Sequence, residues 1–140
     1  MTVSEIMTTE VITASMDDTL GEIREVFESN HIHHLPIVHD NKLVGIVSDR
    51  DVLKDLSPDA DMVGADNHAL DTLKKTADQI MTHRVITVSL EDTIEEASTA
   101  MLEKEISCLP ILERSGAVVG IVTKTDILKN LFGTRSAART

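Results

Sequence analysis

Apolar positions along the chain follow two periods, and each period occurs twice. Leu20, Ile23 and Phe27 recur at i, i+3 and i+7, so they share one face of a helix. Ile94, Ala97 and Met101 repeat that stripe in the second half. Asp18 and Asp92, just ahead of the two stripes, are read as helix N-caps. Short apolar runs at 11–14, 35–39 and 43–47, and again at 85–88, 109–113 and 118–122, predict strands. Asp40-Asn41 and Ser115-Gly116 supply the turns within the two hairpins. Short helical lead-ins over 3–7 and 77–81 precede each set, and short helices over 49–56 and 124–131 close it. The order is β-α-β-β-α, twice.

The identities behind this pattern show an internal duplication. Ile6-Met7-Thr8 recurs as Ile80-Met81-Thr82, Val11-Ile12-Thr13 as Val85-Ile86-Thr87, and Leu35-Pro36-Ile37 as Leu109-Pro110-Ile111. After a one-residue insertion, Val44-Gly45-Ile46-Val47 recurs as Val119-Gly120-Ile121-Val122, and Asp51 as Asp126. The expected division is repeat one at 1–58, an acidic and partly helical linker at 59–76, repeat two at 77–132 and a frayed tail at 133–140. Ser57-Pro58 should stop the preceding helix. One copy is too small to bury both helix faces and its sheet, so the copies are expected to pack together. Apolar helix faces left over would suit a symmetric homodimer.

Composition narrows the function classes. The chain of 140 residues is 41% hydrophobic and 26% charged, which is ordinary for a globular protein. It has no Trp, no Tyr and only Phe27 and Phe132, so the core must be aliphatic and stacking platforms for single-stranded nucleic acid are missing. A formal net charge of -11 repels nucleic-acid backbones and anionic membranes at long range. No apolar run reaches membrane-spanning length and the N-terminus does not resemble a signal peptide, so a cytoplasmic location is expected. The single cysteine, Cys108, excludes an internal disulfide.

The chemistry concentrates where a strand meets the closing helix. Gly45-Ile46-Val47-Ser48-Asp49-Arg50-Asp51 is echoed by Gly120-Ile121-Val122-Thr123-Lys124-Thr125-Asp126. Helix N-terminal amides and the Ser48 or Thr123 hydroxyl offer donors for a phosphate. Asp51 and Asp126, one turn on, are acceptors suited to both hydroxyls of a ribose. Arg50 and Lys124 are placed to neutralise phosphate. Without a ligand, the same spacing is a capping box, with Ser48 and Thr123 as N-caps and Asp51 and Asp126 at N3. The two readings are compatible, and duplication of the motif favours a function.

These residues resemble the CBS domain, named after cystathionine β-synthase. The Ile-Met-Thr lead-in, the Leu-Pro-Ile strand and the Gly-hydrophobic-x-[Ser/Thr]-x-x-Asp motif carry the resemblance over residues 3–56 and 77–131. It implies a mixed α/β (α+β) fold: two tandem βαββα repeats about a pseudo-twofold axis, with clefts for AMP, ADP, ATP or S-adenosylmethionine. By the same resemblance, Asp51 and Asp126 hold the ribose and Ser48 and Thr123 sit at the ribose–phosphate. Backbone near Ile12 and Ile86, and near His34-Leu35-Pro36 and Cys108-Leu109-Pro110, frames the adenine. The resemblance also implies a homodimer and a regulatory role exerted on a target protein. Two features depart from the common pattern: the linker is long, and Asp49-Arg50 in one copy is Lys124-Thr125 in the other. A plain charge argument makes the Arg50–Asp51 site the better equipped for phosphate.

Other candidates are weaker. His31, His33, His34 and His39 form a possible metal cluster, but adjacent His33 and His34 should point to opposite faces of a strand, and no metal is expected. The cluster could instead make ligand binding pH-sensitive. Asp59 to Asp66 superficially resembles a calcium loop but lacks carboxylates at its fifth and twelfth positions. Cys108 is expected to be a buried, unreactive thiol. Met7 and Met81 are core filler or the apolar wall of a nucleotide cleft, and Arg84 is a surface residue within possible reach of a phosphate. No phosphate loop, dinucleotide fingerprint or nucleophile–base pair occurs, and the repeats occupy nearly the whole chain, so no enzyme activity is expected. The alternatives to a nucleotide-sensing module are a ligand-free structural or protein-interaction module, or a metal-binding protein using the histidines.

Overall fold

The structure, a computed structural model, describes residues 1–55 and 67–133. The expected helix stop at Ser57-Pro58, the acidic stretch 59–66 and the tail beyond Gly133 lie outside them. The chain forms two compact units. One is contiguous, Ile12–Val85; the other is composite, joining Met1–Val11 to the chain from Ile86 onward. The lead-in of each sequence repeat therefore belongs to the unit that holds the other repeat's hairpin.

The contiguous unit contains β1 (Ala14–Ser15), α1 (Leu20–Asn30), β2 (His34–His39), β3 (Lys42–Ser48), α2 (Asp49–Asp55), α3 (Asn67–Thr72) and α4 (Ala77–Ile80). Its sheet order is β1-β2-β3. β1 runs parallel to β2 with Ala14 opposite Ile37, and β2 runs antiparallel to β3 with His34 opposite Ser48. The first strand is shorter and later than the 11–14 expected from the sequence. Pro36 has no amide to donate, so β2 cannot extend a parallel ladder toward residue 12. Asp40 and Asn41 both take positive φ, as a tight hairpin turn requires.

Helix α1 starts one residue later than expected. Its cap is Thr19, whose hydroxyl accepts from the Glu22 amide at 3.2 Å while Glu22 accepts from the Thr19 amide at 3.1 Å. Asp18 instead accepts from the Ser15 amide at 3.0 Å and tightens the preceding turn. The Thr-x-x-Glu pair satisfies two amides reciprocally, which a lone Asp cannot do. The end of the linker adds two more partners: Leu20 and Gly21 donate to the Lys75 and Leu73 carbonyls at 2.7 and 3.1 Å. Leu20, Ile23, Leu35, Ile37, Val47 and Ala77 are fully buried and form the core with Phe27, Val52 and Met81.

The composite unit repeats this plan with β4 (Val88–Ser89), α5 (Ile94–Lys104), β5 (Cys108–Leu112), β6 (Val118–Thr123) and α6 (Lys124–Leu128), preceded by a 3-10 turn at Val3–Glu5. Its sheet order is β4-β5-β6. Again the first strand is shorter and later than the expected 85–88, sharing only Val88 with it, and Pro110 accounts for this as Pro36 does. Again the cap is the Thr of a Thr-x-x-Glu box, Thr93 with Glu96, and not Asp92. The last helix becomes a π-helical turn at Lys129–Gly133. Val3, Ala97, Leu109, Ile111 and Val122 are fully buried here.

In both units the lead-in closes the free edge of the hairpin. Thr82 and Ile46 exchange two backbone hydrogen bonds, at 2.9 and 3.1 Å. Thr8 and Ile121 do the same, at 2.8 and 3.0 Å. The methionine before each threonine lies over the glycine before each isoleucine. A Cβ on Gly45 would collide with Met81 Sδ, and one on Gly120 would stand 2.6 Å from Met7 Sδ. The recurring Met and Gly are thus two halves of one close contact. Among the described residues no helix is long and apolar enough to cross a membrane.

Candidate functional site

The strand-to-helix turn has the same hydrogen bonds in both units. The Ser48 amide donates to Asp51 Oδ2 at 2.8 Å, and the Asp51 amide donates to Ser48 Oγ at 3.2 Å. The Thr123 amide donates to Asp126 Oδ2 at 2.9 Å, and the Asp126 amide to Thr123 Oγ1 at 3.2 Å. The capping box expected from the spacing is therefore present. Its bonds orient each carboxylate and leave it a second oxygen. In the composite unit Thr8 Oγ1 donates to that oxygen, Asp126 Oδ1, at 3.3 Å. Sequence reasoning missed Thr8; its recurrence as Thr82 just after the repeated methionine was the available signal.

The neighbouring strand lays a different residue beside each turn. His34 is in register with Ser48, and Cys108 with Thr123. Burial holds the half-buried His34 imidazole below its usual range, against the charges of Asp49 and Asp51, which favour protonation. Burial pushes the Cys108 thiol up to about 12, and the Asp126 charge adds to the shift. This is the inert buried thiol expected. Pro36 and Pro110 are fully buried beside them. Ile12, at the start of the contiguous unit, is exposed. Ile86 is half-buried on the wall of an open depression of about 400 Å³, with Glu95, Glu96, Thr99, Ala100, Glu103 and Lys104 of α5. Arg50, Lys124 and Arg84 are all exposed.

The four histidines serve different local purposes. His31 takes left-handed φ as the C-cap of α1, and its amide donates to the Phe27 carbonyl. His33 Nδ1 pairs with Asp49 Oδ2 at 2.8 Å, and His39 pairs with Asp40 at 3.4 Å. The bond from His33 holds the Asp49 carboxyl below the usual carboxylate range. The side chains of adjacent His33 and His34 differ in exposure, as strand alternation requires. Among the described residues, no three His, Cys, Asp or Glu side chains converge as metal ligands would.

Known proteins share both the sequence and this architecture. A homoserine O-acetyltransferase of Methanococcus vannielii is 32% identical over 130 residues, covering 92% of this chain and 24% of the enzyme. An inosine-5'-monophosphate dehydrogenase of Methanocaldococcus jannaschii is 34% identical over 126 residues, which are 22% of its length. The chain thus spans about a quarter of several curated relatives it matches. It spans 90% of a CBS domain-containing protein of Dictyostelium discoideum, at 30% identity. Among solved structures, the CBS domain pair of protein MJ0100, in complex with 5'-methylthioadenosine and S-adenosyl-L-methionine, is 33% identical with a TM-score of 0.77, covering 96% of this chain and 98% of that one. The family model for the CBS domain matches residues 3–58 and 77–133, and the chain belongs to the CBS domain family.

Proposed function

We propose that the chain is a regulatory module that binds an adenosine-containing ligand of the AMP, ADP, ATP or S-adenosylmethionine class and catalyses nothing. The reciprocal Ser/Thr–Asp turn, built alike in both units, carries this reading. Its capping bonds fix the carboxylate before any ligand arrives, so little further ordering is needed on binding. An ionised carboxylate accepts from two vicinal hydroxyls, which is the recognition a ribose needs. Asp51 and Asp126 take the ribose, and Ser48 and Thr123 stand at its 5' end. Backbone near Ile12 and Ile86, and at His34–Pro36 and Cys108–Pro110, frames the base. The adenosine ligands of the MJ0100 pair support this assignment.

Each seat draws on both sequence repeats. Thr8 of the first lead-in meets Asp126 of the second repeat, and the second lead-in closes the strand that ends at Ser48. A ligand at either turn is therefore coupled to the lead-in packed against it. It shifts the module between states to the extent that it binds one better. Enzymes among the relatives, in which the matching segment is a minor part, support a role in controlling a partner activity. Exposed Leu53 and Leu128, at equivalent places on α2 and α6, support self-association as a homodimer. We place the module in the cytoplasm.

Calorimetry with AMP, ADP, ATP and S-adenosylmethionine tests the reading. Asp51→Ala and Asp126→Ala should each weaken binding at their own seat by about 1–3 kcal/mol. Unchanged affinity in both variants overturns the assignment, and turnover of ATP overturns the non-catalytic part.

A further inference from the structure

The two turns share their backbone bonds and differ in charge. After the cap the contiguous unit has Asp49 and the composite unit has Lys124. Both amides donate to the residue before the neighbouring strand, Asp49 to the His33 carbonyl at 3.0 Å and Lys124 to the Ser107 carbonyl at 3.1 Å. The two side chains thus leave the chain from equivalent positions. The His33 ring anchors Asp49 at 2.8 Å, so the carboxylate is ionised and held, although its side chain remains 45% exposed. His34, in register with Ser48, feels the charges of both Asp49 and Asp51. Asp49 and Asp51 are thus two carboxylates two residues apart at the turn that His34 borders.

The matching positions in the composite unit have different charges. Ser107 stands for His33, Cys108 for His34, Lys124 for Asp49 and Thr125 for Arg50. The contiguous turn sets two carboxylates, Asp49 and Asp51, against one guanidinium, Arg50. The composite turn sets one carboxylate, Asp126, against one ammonium, Lys124. Arg50 does not by itself make the contiguous seat the phosphate site, because the anchored Asp49 offsets it.

We propose that this difference sorts ligands by the charge of their 5' substituent, with Asp49 and Lys124 as the specificity-determining residues. The composite seat takes 5'-phosphorylated adenosine compounds. The contiguous seat takes adenosine compounds whose 5' group is uncharged or cationic. The inference rests on the ribose assignment made above for Asp51 and Asp126. Exchanging a carboxylate for an ammonium about 6 Å from a phosphate changes its affinity roughly tenfold even at the dielectric of bulk water, and more at that of a protein surface.

The test is calorimetry on the full chain with two probes, AMP and 5'-methylthioadenosine, in backgrounds that isolate each seat. Asp126→Ala leaves the contiguous seat, which should prefer 5'-methylthioadenosine. Adding Asp49→Lys should move the affinity ratio toward AMP by about tenfold, with Asp49→Asn moving it part of the way. Asp51→Ala leaves the composite seat, which should prefer AMP, and Lys124→Asp should move the ratio the other way. The uncharged Asn variant guards against a lysine that merely disturbs the turn. Ratios that stay within about twofold after both exchanges overturn the proposal. If binding obeys Asp51 and Asp126 but ignores residues 49 and 124, this inference fails and the ribose assignment stands. If neither probe binds, or affinity is unchanged by loss of both aspartates, the two fall together.

Discussion

The contiguous and composite units share their hairpin-edge contacts and capping boxes and differ in what surrounds one turn. Gly45 under Met81 matches Gly120 under Met7, and the Thr-x-x-Glu caps, buried prolines and Ser/Thr–Asp boxes match pair by pair. At positions 33, 34, 49 and 50, by contrast, two histidines, a carboxylate and a guanidinium correspond to Ser107, Cys108, Lys124 and Thr125 in the other repeat. The shared set makes the backbone of the turn. The unshared set changes the charge around that turn without altering its Ser/Thr–Asp bonds. Duplication here has kept the geometry and let the electrostatics diverge.

The largest effect comes from a substitution that separates sequence repeats from compact units. Val3 has no exposure, and Val3→Asp places a carboxylate there at a cost of about 3 kcal/mol or more. Hydrogen exchange should show lost protection in α5, β5 and β6, whose core Val3 shares, with far less change in α1, β2 and β3. Loss concentrated in residues 12–55 would break the division into units. A smaller effect tests the Met–Gly contacts. Gly45→Ala and Gly120→Ala should each cost about 1–3 kcal/mol by urea denaturation, from forced displacement of the methionine. Gly45→Ala should cost more, because its added Cβ comes closer to both Sδ and Cγ of the methionine than that on Gly120 does. Negligible costs would show that the methionines move aside freely, and equal costs would remove the ranking of the two contacts.

The smallest effect is one of pH. Burial lowers the His34 pKa, so between the folded value and the ordinary 6.5 the unfolded chain binds the proton and the folded chain does not. Its stabilising effect is complete above that ordinary value and is lost as pH falls below it. Asp49, also lowered, contributes only at more acid pH, where stability falls as its carboxylate is protonated in the fold. Melting temperatures measured from about pH 7 to 5 should therefore fall more steeply for the wild type than for His34→Cys, which imports the composite unit's residue. Parallel curves would remove His34 as a point of difference between the units.

Features set by neighbours within one helical turn were legible in the sequence. The apolar stripes Leu20-Ile23-Phe27 and Ile94-Ala97-Met101 are buried as their period requires, and the Ser48–Asp51 and Thr123–Asp126 boxes close as their spacing requires. The caps of α1 and α5 were one residue off because Asp18-Thr19 and Asp92-Thr93 each offer two capping side chains. The glutamate three residues beyond the threonine decides between them. The start of the first strand in each unit was misplaced because it depends on which β2 or β5 residue lacks an amide on the facing edge. That edge is defined only once the strands pair.

The sequence alone determined the element order and the duplicated motif, because each rests on residues a few positions apart. Only the tertiary structure decided that the lead-ins are exchanged, since Thr8 meets Asp126 across a separation of 118 residues. It likewise decided that Asp49 is anchored by His33, sixteen residues away, and that Cys108 is sealed beside Asp126. Contacts of that range carry no local period. They form because each hairpin leaves an open edge and a glycine-wide gap, and the lead-in from the other repeat, with its threonine and methionine, fills both.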